Sequence, residues 1–328
     1  MTTRRQFLSA AGATLATWPL PGRPQPKSAL PRIGYLNIES ADVNGVFLDA
    51  LRDGLRELGY VDGKNIVIDV RWADGFAPAL PQLAATLVKE KPDAIVTTCI
   101  PSTRAAKQAT GTLPVVMSVD GDPVAAGLVS SLARPGANVT GTSTLFEELI
   151  PKWLELLTTA APKVHDIAIL RNPGNVADPY FWGRFEEAAK AKGVKVLPFE
   201  AGVNSDLDRA FADMSQQRAG ALIVMTEGFL ASKAQRIVPL ANRYNLPAIY
   251  GFREFAEIGG LLSYGLSYRD YYKGVARYLD AVLKGAKPAN LPIEQPTKIE
   301  LVINLATARS LGVAIPPQLI ARADRVIT

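Results

Sequence analysis

Residues that could carry covalent or metal chemistry are scarce in this sequence. The 328-residue chain has one histidine, His165, and one cysteine, Cys99, which is too few for an ordinary zinc site. A Ser–His–Asp arrangement would depend on His165, and no Gly-x-Ser-x-Gly elbow accompanies it. No glycine loop ending in Lys-Ser or Lys-Thr is present, and no Gly-x-Gly-x-x-Gly follows the first strand pattern. We therefore expect a protein that is not an enzyme and that holds no metal or cofactor.

Hydrogen-bonding side chains at predicted helix starts and turns indicate noncovalent binding instead. Ser102 and Thr103 follow Pro101 at a predicted helix start. They either cap the helix or help its free N–H groups to hold a carboxylate. Asp122 precedes Pro123, which is typical of a turn. If it faces a cleft, its carboxylate would accept hydrogen bonds from a ligand ammonium group.

The second half of the chain offers three similar candidates. Asn175 closes the turn sequence Asn-Pro-Gly-Asn, and Glu227 stands between a strand pattern and a helix, where it either favours the helix dipole or binds a ligand. Tyr250 ends a strand pattern and is either a cleft wall or a core residue. Ligands bind beyond the carboxyl ends of parallel strands. We therefore expect these three side chains to face those of the first half across one gap.

The elements that must position these residues alternate between strand and helix patterns. In the first half, strands are predicted at 32–37, 65–70, 94–98 and 114–119, and helices at 45–58, 80–89 and 102–110. In the second half, strands are predicted at 166–171, 195–199, 221–225 and 247–250, and helices at 180–192, 207–217 and 231–244. The order predicts an α/β fold with two Rossmann-like lobes and parallel sheets. One large doubly wound sheet is the alternative.

Three segments are candidates for crossings between the lobes. The segment 136–143 is rich in glycine, serine and threonine, which suits a hinge. A second crossing is expected at 259–265, and the strand-like run 298–304 is a candidate for the third. The predicted first lobe therefore spans 31–142 plus about 264–297, and the second spans 143–263 plus about 298–328.

The first 30 residues predict export. Arg4 and Arg5, followed by Phe7 and Leu8 and an apolar run over 10–20, are typical of a twin-arginine signal peptide, with a disordered start as the alternative. No cysteine lies near the signal, so a periplasmic protein without a lipid anchor is expected. The net charge of +5 includes three arginines of this segment. Without a basic patch interleaved with aromatics, no nucleic-acid partner is expected.

Several stretches resemble one family. They are GDPVAAGLV at 121–129, RPGANVTG at 134–141, YGLSY at 264–268, KGAKP at 284–288, PTKIELVIN at 296–304, LGVAIPP at 311–317 and RAD at 322–324. Together with the signal, they make the chain similar to ABC-transporter substrate-binding proteins of the tryptophan-binding-protein-like family, from its first residues to its C-terminus.

The resemblance implies a type I periplasmic binding protein with two lobes and a three-crossing hinge. It implies a monomeric receptor that binds a small carboxylate-bearing solute, either an amino acid or an aromatic acid, and delivers it to a membrane permease. A sensor subunit that reports to a signalling partner is the alternative. By position, family ligand contacts fall on Pro101, Ser102, Thr103, Asp122, Ser143, Asn175, Glu227 and Tyr250.

Overall fold

The computed structural model describes residues 30–175, 177–202 and 207–328. The predicted signal peptide therefore lies, as far as residue 29, outside the described residues. Among the residues that are described, no helix combines the length and the apolar composition needed to cross a bilayer.

The first sheet follows the first half of the chain. Within the described ranges its five strands are β1 (Arg32–Asn37), β2 (Val67–Trp72), β3 (Ala94–Thr97), β4 (Val115–Asp120) and β5 (Val139–Thr144). They lie in the order β2-β1-β3-β4-β5, and every neighbouring pair is parallel. Their near-continuous apolar runs suit a sheet that helices cover on both faces. These helices are α1 (Ala41–Glu57), α2 (Leu80–Lys89) and α3 (Ile100–Ala109).

The second sheet has seven strands among the described residues. They are β6 (Asp166–Arg171), β7 (Lys195–Glu200), β8 (Ala221–Val224), β9 (Ala248–Phe252), β10 (Leu262–Leu266), β11 (Glu300–Asn304) and β12 (Arg325–Ile327). Their order is β12-β11-β10-β9-β8-β6-β7. Only the β10–β11 pair is antiparallel within this described sheet.

Nine more helices accompany this part of the described chain. They are α4 (Ile150–Ala160), α5 (Asp178–Lys192), α6 (Leu207–Gln216), α7 (Gly228–Ser232), α8 (Ala234–Arg243), α9 (Arg253–Glu257), α10 (Tyr268–Leu283), α11 (Leu305–Ser310) and α12 (Pro317–Ile320). Single 3-10 turns cover Ala77–Ala79, Phe146–Leu149 and Pro288–Asn290.

One helix from the second half returns to the first sheet. Helix α10 packs against α1 and against β3, β4 and β5. The approach is close at Gly54, where a Cβ atom would lie 3.0 Å from the Lys273 Cα. We use "first lobe" for the first sheet with α1–α3 and α10, and "second lobe" for the second sheet with the other helices.

The chain passes between the two sheets three times. The first passage follows β5 at Leu145, and the second follows β10 at Ser267. The third follows Glu294, which forms backbone hydrogen bonds with Gly141 and Ser143 before the chain enters β11. This confirms the predicted two α/β lobes with three crossings and excludes a single large sheet.

All three predicted crossing positions were wrong, because 298–304 contains the whole of β11 and the other two segments also hold strands. The segment 136–143 contains most of β5, and 259–265 contains most of β10. The residues of these two segments are therefore paired with neighbouring strands of a sheet. The chain leaves each sheet only after the strand has ended. Glycine in these segments reflects close backbone packing, because a Cβ on Gly265 would lie 1.8 Å from the Gly251 carbonyl oxygen.

Candidate functional site

A cavity of about 290 Å³ lies between the two lobes. Its lining comes from loops at the carboxyl ends of strands and from the N-terminal parts of helices that include α1, α3, α5 and α10. Ligand sites in open α/β sheets are expected at this edge. The lining residues are Ile38, Glu39, Asn44, Phe47, Thr98, Cys99, Ile100, Pro101, Ser118, Val119, Asp120, Thr144, Phe146, Asn175, Ala177, Phe181, Thr226, Glu227, Gly228, Phe252, Leu266, Tyr268, Tyr271 and Tyr272.

Aromatic rings form one wall of the cavity. The Phe47 ring of the first lobe stacks on Tyr272 with centroids 5.2 Å apart. It also meets Phe252 of the second lobe edge-on at 6.0 Å, and Phe252 contacts Phe146 in the same way at 5.7 Å. A wall of this kind provides the face and edge contacts that suit a flat, apolar ligand ring.

The Asp120 carboxyl group lies at the carboxyl end of β4 beside this wall. It accepts hydrogen bonds from the Thr144 hydroxyl at 3.1 Å and from the Phe146 backbone N–H at 3.3 Å. Burial raises the pKa of Asp120 to about 7, and the nearby Glu147 carboxylate adds to this, while the two hydrogen bonds act in the opposite direction. The group is therefore poised to lose its proton when a cation arrives.

The Glu227 carboxyl group faces the cavity from the second lobe. It caps the short helix α7 by accepting from the Phe229 and Leu230 backbone N–H groups, and it accepts from the Asn172 amide at 3.3 Å. Burial raises the pKa of Glu227 to about 7, with repulsion from Glu39 of the first lobe as a smaller contribution. Burial also raises the pKa of Glu39. Two carboxyl groups from opposite lobes thus repel each other across the cavity.

The two lobes touch directly beside these carboxyl groups. Helix α7 begins against the start of α1, where a Cβ on Gly228 would lie 1.6 Å from the Asn44 Oδ1 and 3.2 Å from the Val43 carbonyl oxygen. The Asn44 amide donates to the Asn37 Oδ1 at 3.2 Å. Its own Oδ1 is buried and accepts no hydrogen bond from the described residues. The contact needs glycine at position 228.

Of the predicted site residues of the first lobe, the structure places Pro101 in the cavity lining and Ser102, Thr103 and Asp122 outside it. The Ser102 hydroxyl pairs with the Cys99 Sγ at 3.0 Å, and the Thr103 hydroxyl donates to the Cys99 carbonyl oxygen at 2.8 Å. Both residues are fully buried within the first turn of α3. The exposed Asp122 carboxylate accepts from the backbone N–H groups of Val124 and Ala125, which is turn chemistry.

The remaining predicted residues divide into two groups. Asn175 and Glu227 line the cavity. Tyr250 lies in the core, 1% exposed, with its ring stacked on Phe255 at 4.7 Å. Ser143 lies inside β5, and its N–H donates to the Glu294 carbonyl oxygen at 3.0 Å. Contact between a ligand and any of these residues stays a prediction.

Sequence reasoning missed several cavity residues. Phe47 lies within the predicted helix 45–58, and Asp120 lies two residues before Asp122, the acidic residue that was predicted to face the cleft. Asn44 lies in a segment that was expected to precede the helix. Tyr271 and Tyr272 come from α10, far along the chain. The position of Asp120 at the carboxyl end of the strand pattern 114–119 is a signal that pointed to it.

The protein has two α/β lobes, three chain crossings between them and a cavity between the lobes. These features define a type I periplasmic-binding-protein fold. The family model for "ABC transporter substrate binding protein" matches residues 37–327. The chain belongs to this family of substrate-binding proteins.

Known relatives agree with this assignment. The chain is 30% identical over 265 residues to a tyrosine-binding protein of Clostridioides difficile, covering 81% of this chain and 75% of the relative. It is 27% identical to an ABC domain from Streptococcus pneumoniae in complex with L-Trp, with a TM-score of 0.71 and coverage of 91% of this chain and 100% of that chain. A ligand-free, open substrate-binding protein from Clostridium difficile matches at 26% identity and a TM-score of 0.57, with the same coverage.

Proposed function

We propose that this protein is the exported receptor of an ABC importer and that it binds a small aromatic solute between its lobes and delivers it to a membrane permease. The observation that carries the proposal is the aromatic-walled cavity between two lobes that are joined by three crossings. The tyrosine-binding relative and the L-Trp complex support a solute related to the aromatic amino acids.

Solute binding and lobe closure are coupled in this proposal. A solute that contacts Phe47 of the first lobe and Glu227 of the second is bound more tightly when the lobes are closed, so it shifts the population toward that state. The closed form is then recognised by the permease. No covalent step is required, so the proposed protein is a receptor and not an enzyme.

The predicted carboxylate on the solute stays a prediction. Its expected partners, Ser102 and Thr103, are bonded inside α3. The proposal therefore relies on the aromatic wall and on the carboxyl groups of the cavity for recognition.

Location and assembly are also part of the proposal. The paired Arg4 and Arg5 of the signal segment support export to the periplasm by the twin-arginine route. We propose a monomer, because a single chain contributes both walls of the cavity.

A thermal-shift panel with purified mature protein tests the proposed function. The panel holds aromatic amino acids, aromatic amines and aromatic acids beside sugars and aliphatic amino acids. An aromatic solute at 100 times its Kd should stabilise the protein by about 2.7 kcal/mol. For a protein of about 300 residues, whose entropy of unfolding is about 0.6 kcal/mol/K, that corresponds to a rise in Tm of about 4 °C.

A cavity variant shows whether the shift comes from this site. Phe47→Ala removes the ring that joins both walls, so the rise in Tm with the same solute should disappear. The matched control is Phe76→Ala, because that ring is 64% exposed and is not among the cavity residues. If sugars or aliphatic amino acids alone raise the Tm, the proposed solute class is wrong.

A further inference from the structure

The charges of the cavity are unbalanced. Its lining includes three carboxyl groups, those of Glu39, Asp120 and Glu227, and none of the lining residues is lysine, arginine or histidine. In a site with low dielectric, an uncompensated carboxylate is costly, and a positively charged partner offsets this cost. The lining therefore provides no cation of its own, and a positively charged ligand can supply one.

No ion pair joins these carboxyl groups to a lysine or arginine of the described chain. Asp120 accepts from a hydroxyl and a backbone N–H, and Glu227 accepts from backbone N–H groups and the Asn172 amide. These partners are neutral. The raised pKa values of all three carboxyl groups have the same origin, namely burial without a cation.

Two arginines that adjoin cavity strands or loops are engaged in ion pairs. Arg253 follows the cavity strand β9, and its guanidinium pairs with Glu257, Asp270 and Glu300. Arg171 pairs with Asp178 at the start of α5. These ion pairs leave neither guanidinium free to accompany a ligand carboxylate.

A neutral acceptor adds an independent observation. The Asn44 side chain lines the cavity and is 9% exposed, yet its Oδ1 accepts no hydrogen bond from the described residues. Asn44 stands on the first lobe opposite Gly228, the residue after Glu227. An N–H donor in the cavity would satisfy this oxygen as well as the carboxylates. A carboxylate, which only accepts, would satisfy none of them.

The start of α3 offers few donors to a carboxylate. The Ser102 N–H is directed to the Cys99 Sγ, and the Thr103 N–H to the Cys99 carbonyl oxygen. Pro101 has no N–H at all. The helix N-terminus that was expected to hold an anion is thus largely satisfied by Cys99.

We infer that the cavity selects an aromatic amine, a solute with a protonated amino group and no carboxylate, which it holds between the carboxyl groups of the two lobes and the aromatic wall. This rests on the proposed function and narrows its solute class. The ammonium group bridges Glu39 and Asn44 of the first lobe and Glu227 of the second. It replaces the repulsion between the two carboxylates by two attractions, so recognition of the amine also favours lobe closure.

Calorimetric titration of the mature protein with matched solutes tests this inference. Tryptamine, L-tryptophan and indole-3-propionate share one ring and differ in their charged groups, and phenethylamine, L-phenylalanine and 3-phenylpropionate form a second series. We expect the amine of the better-bound series to bind at least tenfold more tightly than its amino acid, and the acid to bind more weakly than both.

Charge variants locate the effect in the cavity. Glu227→Gln keeps the shape of the side chain but removes the charge, so it should weaken amine binding at least tenfold and leave binding of the propionate equal or stronger. Asp120→Asn should also weaken amine binding and leave binding of the propionate equal or stronger. If one of the two variants fails to fold, the other still tests the inference. Glu187→Gln, on the exposed face of α5 and outside the cavity lining, is the matched control and should leave all Kd values unchanged.

The outcomes separate the two proposals. Tighter binding of either amino acid or acid than of its matched amine would overturn the aromatic-amine inference and leave the aromatic-solute receptor standing. Equal loss of amine and acid affinity in both charge variants would also overturn the inference. Binding of none of the six compounds would overturn the proposed function together with the inference.

Discussion

At the residue scale, the main feature is a set of carboxyl groups held without cations. Burial raises the pKa of both Asp120 and Glu227 to about 7. A carboxyl group whose pKa is raised by folding stabilises the folded state only while it remains protonated. The cavity therefore gains affinity for a cation at the expense of the stability of the ligand-free protein.

The first prediction concerns pH and the stability of the ligand-free protein. The pKa of Asp120 rises from 3.8 to about 7 on folding, so its contribution to stability is fully present below about pH 4 and is lost as the pH rises toward 7. Asp120→Asn cannot ionise. We expect its Tm, relative to the wild type, to increase between pH 5 and pH 8, as measured by calorimetry without ligand.

A carboxylate on the protein surface provides the control for this prediction. Asp53→Asn changes a carboxylate on the surface of α1 that is 58% exposed and pairs with Arg56, so its Tm difference should change little over the same range. A Tm difference for Asp120→Asn that stays constant from pH 5 to pH 8 would show that Asp120 does not titrate in this range.

Residue types alone could not separate Asp120 from Asp122. Asp120 ends β4 and Asp122 follows two residues later, and both are compatible with a turn. The structure shows that the Asp122 carboxylate caps two backbone N–H groups in solvent, whereas Asp120 is directed between β5 and the passage to the second lobe. That difference depends on Thr144 and Phe146, which lie 24 and 26 residues away, so no local pattern contains it.

At the element scale, a shift of two residues decides which side chains reach the cavity. The sequence predicted a helix from Ser102, but α3 begins at Ile100 with Cys99 as its N-cap. Ser102 and Thr103 therefore lie in the first helical turn, where their hydroxyls bond back to Cys99 and Thr97. The strand and helix order was predictable because it follows hydrophobic periodicity, whereas helix starts depend on individual caps.

A second prediction concerns the contact between α1 and α7. Gly228→Ala places a methyl group 1.6 Å from the Asn44 Oδ1 and 3.2 Å from the Val43 carbonyl oxygen, so the Asn44 side chain must move and the contact between α1 and α7 is disturbed. The closed arrangement is destabilised while the second lobe itself is unchanged. We expect at least a tenfold weaker Kd for the tightest aromatic solute by calorimetry, with the Tm of the ligand-free protein within about 2 °C of the wild type, because this contact joins the two lobes and is not part of the core of either lobe.

Gly183→Ala is the matched control for the contact. Gly183 lies in α5, and a Cβ there meets no atom within 4 Å. It carries the same change of residue without crowding, so its Kd should equal that of the wild type. Unchanged affinity in Gly228→Ala would mean that the contact between α1 and α7 is not needed when ligand is bound.

At the scale of the whole molecule, the two lobes border the cavity from opposite sides. The fold class and the three crossings could be predicted from the alternating pattern and from the resemblance. The placement of α10 could not be, because this helix follows a strand of the second sheet yet packs on α1 of the first. Tyr268, Tyr271 and Tyr272 reach the cavity only through that return.

The lobes are arranged as a closed receptor in this account. At nearly equal sequence identity, the TM-score is 0.71 to the complex with L-Trp and 0.57 to the ligand-free, open protein. The contact between Asn44 and Gly228 joins the lobes next to the cavity. Recognition, closure and presentation to a permease would then depend on one set of residues.

A crystal structure of the protein with the tightest solute of the two matched series tests the central claim most directly. The account predicts electron density for the solute between the lobes, with its ring against Phe47 and Phe252 and its amino group within hydrogen-bond distance of Glu227. It also predicts that Asn44 and Gly228 remain in contact. Density for the solute at any other surface, with the cavity free of it, would contradict the account.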